Sequence, residues 1–215
     1  MNADWAAANL KTIRTLMERA AVYRRALAPI MLTVGSLGLA AAVLGWKLEL
    51  STPRLFILYW LAVAATTCGV AFFLVRRQAI QASEPVWSPP ARRVVLAALP
   101  ALVAGMTTGL MLAWVLPALP EAQAELGNTI AMFWLPLGWV VLYGCALHAS
   151  GFFLPRGMKI FGWSFVCGGC LLFLAGIPDL PRVMYAHGVM GLFFGLLHQA
   201  FGVYLYLTEK KDSAA

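Results

Sequence analysis

Charged residues are scarce in this 215-residue chain: only 12% are Asp, Glu, Lys or Arg, about half the share of a typical soluble protein. The nine acidic residues all lie outside the long apolar stretches. This excludes a catalytic pair of carboxylates within those stretches. The chain also lacks a glycine-rich phosphate loop, an H-E-x-x-H helix and a G-x-S-x-G elbow. The sequence therefore predicts no catalytic residue and no metal site.

What the chain has instead is apolar sequence: 61% of its residues are hydrophobic, with a mean hydropathy of +0.79. Six apolar runs are long enough to cross a hydrocarbon layer about 30 Å thick as helices. Because they are continuously apolar and do not alternate, helices are favoured over barrel strands. The sequence predicts an all-α polytopic membrane protein, a six-helix transmembrane bundle. The predicted spans are 27–46, 54–75, 91–116, 128–150, 159–177 and 183–207.

Lysine and arginine are distributed unevenly around these spans, with 13 of the 16 on one side of a six-span path. Basic residues in short loops mark the cytoplasmic side, so both termini are predicted to be cytoplasmic. Orientation and anionic lipid headgroups explain the net charge of +7 better than nucleic-acid binding does. The basic residues on this side are Lys11, Arg14, Arg19, Arg24, Arg25, Arg76, Arg77, Arg92, Arg93, Arg156, Lys159, Lys210 and Lys211; the other side has Lys47, Arg54 and Arg182.

The segment before the first span has no pattern of a cleavable signal peptide. Its apolar residues, including Trp5, Ile13 and Met17, recur at helical spacing among polar ones. This predicts an amphipathic interfacial helix on the cytoplasmic surface of the bilayer; a docking helix for a cytosolic partner is the alternative. The predicted organisation is a surface helix over 1–26, a six-span domain over 27–208 and a cytoplasmic tail over 209–215.

Glycines recur at intervals of seven residues in the fifth and sixth spans. Residues seven apart return to nearly one face of a helix, and glycine lets a neighbouring backbone approach closely. We expect them to pack helices within one chain, although the same faces could form a homodimer. They are Gly162, Gly169 and Gly176 in the fifth span and Gly188, Gly191, Gly195 and Gly202 in the sixth; the first span adds Gly35, Gly38 and Gly45.

Histidines are the main chemical lead, because ionisable groups in a membrane are costly and often functional. His187 and His198, eleven residues apart on the sixth span, differ by about 20° around an ideal helix and are expected to share one edge, with Gln199 nearby. His148 lies near the cytoplasmic end of the fourth span. Three interpretations remain open: a proton or ion path along the sixth span, a b-type haem held by His148 and His198, and neutral histidines hydrogen-bonded to their neighbours. The last is favoured, since no carboxylate accompanies them.

Cys167 and Cys170 form a C-x-x-C pair in the fifth span. Such a pair can exchange disulfides where a thiolate is within reach of a partner. Here it lies deep in an apolar run that soluble partners do not enter. We therefore expect these cysteines, with Cys68 and Cys145, to be small buried packing residues.

Both ends of the chain carry short patterns. These are Ile13-Arg14, Met17-Glu18-Arg19 and Tyr23 before the first span, and His187, Met190-Gly191, Phe194-Gly195, His198 and Tyr204 in the last. In these residues the chain resembles a poorly characterised group of small bacterial six-span proteins. The resemblance implies a bacterial inner-membrane location and supplies no activity.

For function, the sequence favours a non-enzymatic membrane component for sensing, regulation or scaffolding. Its basic cytoplasmic face would contact anionic lipid headgroups and a cytosolic or membrane protein partner. One alternative is a small transporter or channel with a path along the sixth span past His187 and His198. The other is a membrane redox protein with a b-type haem; no other cofactor is expected.

Overall fold

The computed structural model describes residues 27–81, 83, 85–154, 157–176 and 179–212. This part of the chain forms six helices long and apolar enough to cross a membrane. The predicted all-helical class with six apolar helices is confirmed. The predicted surface helix over 1–26 lies outside the described residues. The helices are α1 (Leu27–Lys47), α2 (Pro53–Gln81), α3 (Pro89–Val115), α4 (Glu121–Ser150), α5 (Gly157–Ala175) and α6 (Arg182–Thr208), which stays helical to Asp212.

The observed helix ends follow the predicted spans closely except at the ends of α2 and α6 and the start of α4. Helix α2 continues past Arg76 to Gln81, and α4 begins at Glu121 with a short 3-10 turn. Hydropathy marks where apolar sequence stops, whereas arginine and glutamine are good helix formers. Both helices therefore extend beyond their apolar cores.

Helices α4 and α6 lie at the centre of the bundle. Their most apolar windows are 56% and 44% buried, against 17% for α2 and 11% for α3. Helix α4 packs between α3 and α5 and also contacts α6. One core cluster joins α4, α5 and α6 through residues such as Phe165 and Phe193, and a second joins α2, α4 and α6 through residues such as Trp60 and Met190.

Glycines bring α1 and α6 into direct backbone contact. A Cβ added at Gly35 would lie 2.8 Å from the backbone nitrogen of Gln199, and one at Gly38 would collide with the carbonyl oxygen of Phe194. From the α6 side, a Cβ at Gly195 would lie 2.7 Å from Leu39. We call this contact the α1–α6 seam. Gly191 and Gly202 also lie along it, opposite Ala42 and Leu32.

Helices α4 and α5 approach one another in the same way. A Cβ at Gly162 would lie 2.6 Å from the backbone nitrogen of His148, and one at Gly169 would lie 2.8 Å from Val141. Two glycines with the same spacing differ. Gly188 has no atom within 4 Å of its Cβ position, and Gly176 follows the end of α5 with φ +79° and open space around it. Gly176 thus supports the left-handed backbone that ends the helix.

The outward surface of the bundle is apolar. Trp114, Leu174 and Ile160 are 79%, 82% and 73% exposed. A contiguous exposed apolar surface of this size indicates contact with a membrane or with another protein. Together, the six apolar helices suggest a multi-pass membrane protein.

Candidate functional site

His198 lies at the centre of the bundle and is fully buried. Its Nδ1 is 3.0 Å from the carbonyl oxygen of Phe193, and its Nε2 is 3.0 Å from the Tyr143 hydroxyl. A carbonyl oxygen only accepts hydrogen bonds, so Nδ1 must carry the proton. The Tyr143 O–H therefore donates to Nε2. These two bonds fix a neutral tautomer, and the Tyr143 bond ties α6 to α4.

Aromatic rings enclose this histidine. Their centroids lie between 5.2 and 6.3 Å from that of the imidazole. With both nitrogens bonded and no exposed surface, the ring is packed into the core. The enclosing residues are Tyr143, Phe161, Phe165 and Phe194.

His187 lies eleven residues before His198 on α6 and is 1% exposed. The Trp60 indole N–H of α2 donates to its Nδ1 over 3.2 Å. Because Nδ1 accepts, the proton of the neutral ring is on Nε2. His187 and His198 therefore carry their protons on opposite nitrogens.

The Nε2 of His187 is buried and makes no hydrogen bond of regular geometry among the described residues, although the backbone of Leu50 interacts with the ring. The ring packs against Phe56 and Tyr59 of α2, at 5.1 and 6.1 Å between centroids. On the other side it lies against α1, where only glycine fits at position 45 because a Cβ there would collide with the imidazole. The ring thus fills the junction of α1, α2 and α6 with one polar atom unmatched.

The expectation that the two histidines share one edge of α6 is wrong. His187 faces α1 and α2, whereas His198 faces α4 and α5. The expectation assumed a regular α-helix, but residues Gly191–Leu197 between them are π-helical. The wider π turn changes the angular offset between the helical residues before it and those after it. No row of histidines along one face results.

Gln199 joins α6 to α1. Its amide donates to the carbonyl oxygen of Leu32 over 2.9 Å and to the Ser36 hydroxyl over 2.6 Å. The Ser36 hydroxyl in turn donates to the carbonyl of Leu32. The amide thus strengthens the α1–α6 seam.

His148 is separate from both other histidines. Its ring contacts Phe152 and Trp163, and its Nδ1 has no partner within the part of the chain that the structure describes. A haem bound by His148 and His198 would first have to break the Tyr143–His198 hydrogen bond or the Nδ1 bond to Phe193. The described residues contain no group of three His, Cys, Asp or Glu side chains that could hold a metal ion.

The cysteines are not buried packing residues, contrary to the expectation from their apolar surroundings. All four are free and exposed thiols, although Cys68 also lies close enough to the buried Tyr143 to interact with it electrostatically. Cysteine is apolar enough to face lipid as readily as a protein core, so hydrophobic sequence around it does not decide which it meets. The four are Cys68, Cys145, Cys167 and Cys170.

The aromatic residues with polar atoms were missed by reasoning from the sequence. Trp60 and Tyr143 donate to the histidines, Trp139 donates to the carbonyl oxygen of Gly105 over 2.9 Å, and Tyr59 donates to that of Ala41 over 2.6 Å. Tyr and Trp normally gather at membrane interfaces. Their position in the middle of apolar runs was the available signal for buried donors that join helices.

One end of the bundle carries exposed arginines, Arg76 and Arg77 at the end of α2 and Arg92 and Arg93 at the start of α3. Together with Lys159 of α5 we call this the basic end. Across the described residues, none of these five forms an ion pair. At the opposite end, the Arg182 guanidinium binds both carboxylate oxygens of Glu125, one of them over 2.9 Å. That pair neutralises a cation on the side where cations are already few.

No protein-family model, curated protein or solved structure matches this chain.

Proposed function

We propose that the chain is a multi-pass protein of a bacterial inner membrane with both termini in the cytoplasm. It has no enzymatic activity of its own and serves as a sensing, regulatory or scaffold component. Its basic end faces the cytoplasm and binds an acidic surface of a protein partner. The excess of lysine and arginine on this side supports the orientation.

The observation that carries the proposal is the contrast between the bundle interior and its basic end. Inside, the polar atoms of Tyr143, His198 and Gln199 are used to join helices. At the basic end, four exposed arginines have no partner within the described residues. Unpaired surface charge is suited to electrostatic attraction of a partner.

The test is site-specific photo-crosslinking in living cells. A crosslinker at Ser83, beside the basic end, should capture a protein partner, whereas one at Ser51, at the opposite end, should not. Capture from Ser83 should be lost when Arg76, Arg77, Arg92 and Arg93 are changed to Gln.

Two further variants sharpen this test. Lys47→Gln combined with Arg54→Gln removes charge from the opposite end and should leave capture from Ser83 unchanged. Deleting residues 1–26 tests whether that segment contributes. Capture that survives removal of the four arginines would contradict the proposal.

A transport function is a second candidate, favoured by the unmatched Nε2 of His187. A buried donor without a partner is costly, and a passing anion or a solute with a hydrogen-bond acceptor could satisfy it. Flux through liposomes containing the purified chain tests this function. His187→Leu, which removes the donor, should abolish a real flux, while Tyr206→Phe, at an exposed position on the same helix, should not. Flux equal to that of empty liposomes would exclude this candidate.

A further inference from the structure

Helix α4 exposes one strip between its two flanking helices. On the α3 side, the Trp139 indole donates to Gly105 and the Ser150 hydroxyl donates to Val94 over 3.2 Å. On the α5 side, Gly144 packs against Gly162. The residues of the strip between these contacts are half-buried or exposed, and we call this strip the α4 groove. Its residues, at helical spacing, are Gly138, Leu142, Cys145 and Ala149.

The floor of the groove has room for an occupant. Gly138 has no atom within 4 Å of its Cβ position. Cys145 is exposed. Both residues are small and carry no strongly polar group, so an apolar chain can lie against the α4 backbone here.

Three cations lie near the end of this groove at the basic end. Arg92 and Arg93 directly precede Val94 near the start of α3, and the Ser150–Val94 hydrogen bond holds that part of α3 beside the end of α4. Lys159 is in the first turn of α5. Its Nζ lies 3.8 Å from the centroid of the Phe152 ring, just beyond α4.

The charges at this position are not neutralised by the protein. Arg92, Arg93 and Lys159 form no ion pair in the described ranges. Helices α3 and α5 both begin here, and the partial positive charge of their N-termini adds to the field. A fitting occupant is therefore anionic at one end.

The same occupant must be apolar along its length. The outward surfaces of the two flanking helices are apolar: Leu96 and Leu99 of α3 are 53% and 46% exposed, and Ile160 of α5 is 73% exposed. An acidic protein segment would match the cations but would not lie along an apolar groove. An acidic phospholipid matches both.

We propose that the α4 groove binds an acidic phospholipid. Its phosphate contacts Arg92, Arg93 and Lys159, and an acyl chain lies along the strip from Ala149 to Gly138. The inference rests on the membrane location and the orientation proposed above. It adds a lipid ligand at Arg92 and Arg93, which leaves Arg76 and Arg77 to contact the protein partner.

Native mass spectrometry of the full chain in mild detergent, titrated with single lipids, tests the proposal. Phosphatidylglycerol should bind about tenfold more tightly than phosphatidylcholine of the same chain length. Arg92→Gln with Arg93→Gln should remove most of this preference. The matched control Arg76→Gln with Arg77→Gln removes the same charge from the same end and should change the affinity by less than about twofold.

The groove itself is tested separately from the charges. Gly138→Leu fills open space and should weaken the binding of long-chain phosphatidylglycerol, while the binding of the dihexanoyl form should be nearly unaffected. Cys145→Trp is a second blocking variant if Gly138→Leu does not fold. Inorganic phosphate, which has no acyl chain, should compete only weakly.

Each contrary outcome has a distinct meaning. Equal losses in the two double arginine variants would mean diffuse attraction and overturn the site. Unchanged binding of long-chain phosphatidylglycerol in both blocking variants would exclude the α4 groove as the site of the acyl chain. Competition by inorganic phosphate at the concentrations used for the lipid would indicate a site for free anions instead. If lipid preference is absent while crosslinking from Ser83 persists, only this inference fails and the proposed function stands.

Discussion

At the scale of single residues, the bundle uses aromatic donors to satisfy buried histidines. Trp60 and Tyr143 each place one N–H or O–H on an imidazole nitrogen. Hydrogen bonds between helices in a membrane contribute about 0.6 kcal/mol on average and up to about 1.7. The Tyr143–His198 bond should lie toward the upper end, because both groups are deeply buried and water cannot replace either partner.

Replacing Tyr143 by Phe removes the O–H and leaves the Nε2 of His198 without a donor. We expect the unfolding free energy in detergent to fall by about 1 to 2 kcal/mol. Tyr206→Phe is the matched control, since Tyr206 is 58% exposed, and it should have almost no effect. Equal losses in the two variants would mean that the hydrogen bond is not what stabilises this site.

The two histidines should also differ in tautomer. Nitrogen-15 spectra of histidine-labelled protein at neutral pH should show His198 protonated on Nδ1 and His187 on Nε2, in keeping with their different partners. Single His→Gln variants assign the signals. Identical tautomers at both positions would contradict the hydrogen-bond geometry.

The sequence predicted the role of these histidines, but it did not predict which residues surround them. Their burial in a span already favoured neutral rings bonded to neighbours, and the bonds of His198 have that form. It could not identify Tyr143 or Trp60 as partners, because those contacts depend on which helices are adjacent. Helix adjacency is set by packing of the whole bundle, which a single-helix pattern does not encode.

At the scale of helices, the α1–α6 seam depends on glycine at its closest points. Gly195→Leu would place a side chain against both the side chain and the backbone of Leu39. Overpacking of this kind costs about 1 to 3 kcal/mol, and we expect a corresponding fall in the thermal midpoint in detergent.

Gly188→Leu is the control for this variant. It lies on the same helix but has open space at its Cβ position, so the midpoint should stay the same or rise slightly with the loss of a helix-weakening glycine. A larger effect at Gly188 than at Gly195 would show that the seam is not the stabilising contact.

The seven-residue spacing of the glycines predicted that helices approach closely, but it did not predict where along the helix this close contact ends. Gly191, Gly195 and Gly202 lie against α1, but Gly176 and Gly188 do not contact another helix. Spacing reports which face a residue is on. Whether a neighbouring helix is present at the level of that residue depends on the lengths and tilts of the helices. These are properties of the assembled bundle.

At the scale of the whole molecule, the most exposed helices are α2 and α3, and the unpaired cations lie where they meet. The orientation stays a prediction from charge. After replacing the four native cysteines by alanine, a membrane-impermeant maleimide should label Ser51→Cys in intact cells and Ser83→Cys only after lysis. The reverse pattern would invert the topology and place the basic end outside.

The π-helical segment of α6 has a consequence for how this chain tolerates changes in length. Removing one residue from Gly191–Leu197 would let this segment become a regular α-helix while both ends of α6 keep facing their present neighbours. If the segment became a regular α-helix without losing a residue, the C-terminal part of α6 would instead rotate by about 100° relative to its N-terminal part. His187 would then keep its contacts with Trp60, while His198 would turn away from Tyr143 and Gln199 from Leu32. The extra residue of the π-helical segment therefore sets the orientation of His198 relative to His187. It lets one continuous helix contact two sets of neighbours that an uninterrupted α-helix of the same length could not contact together.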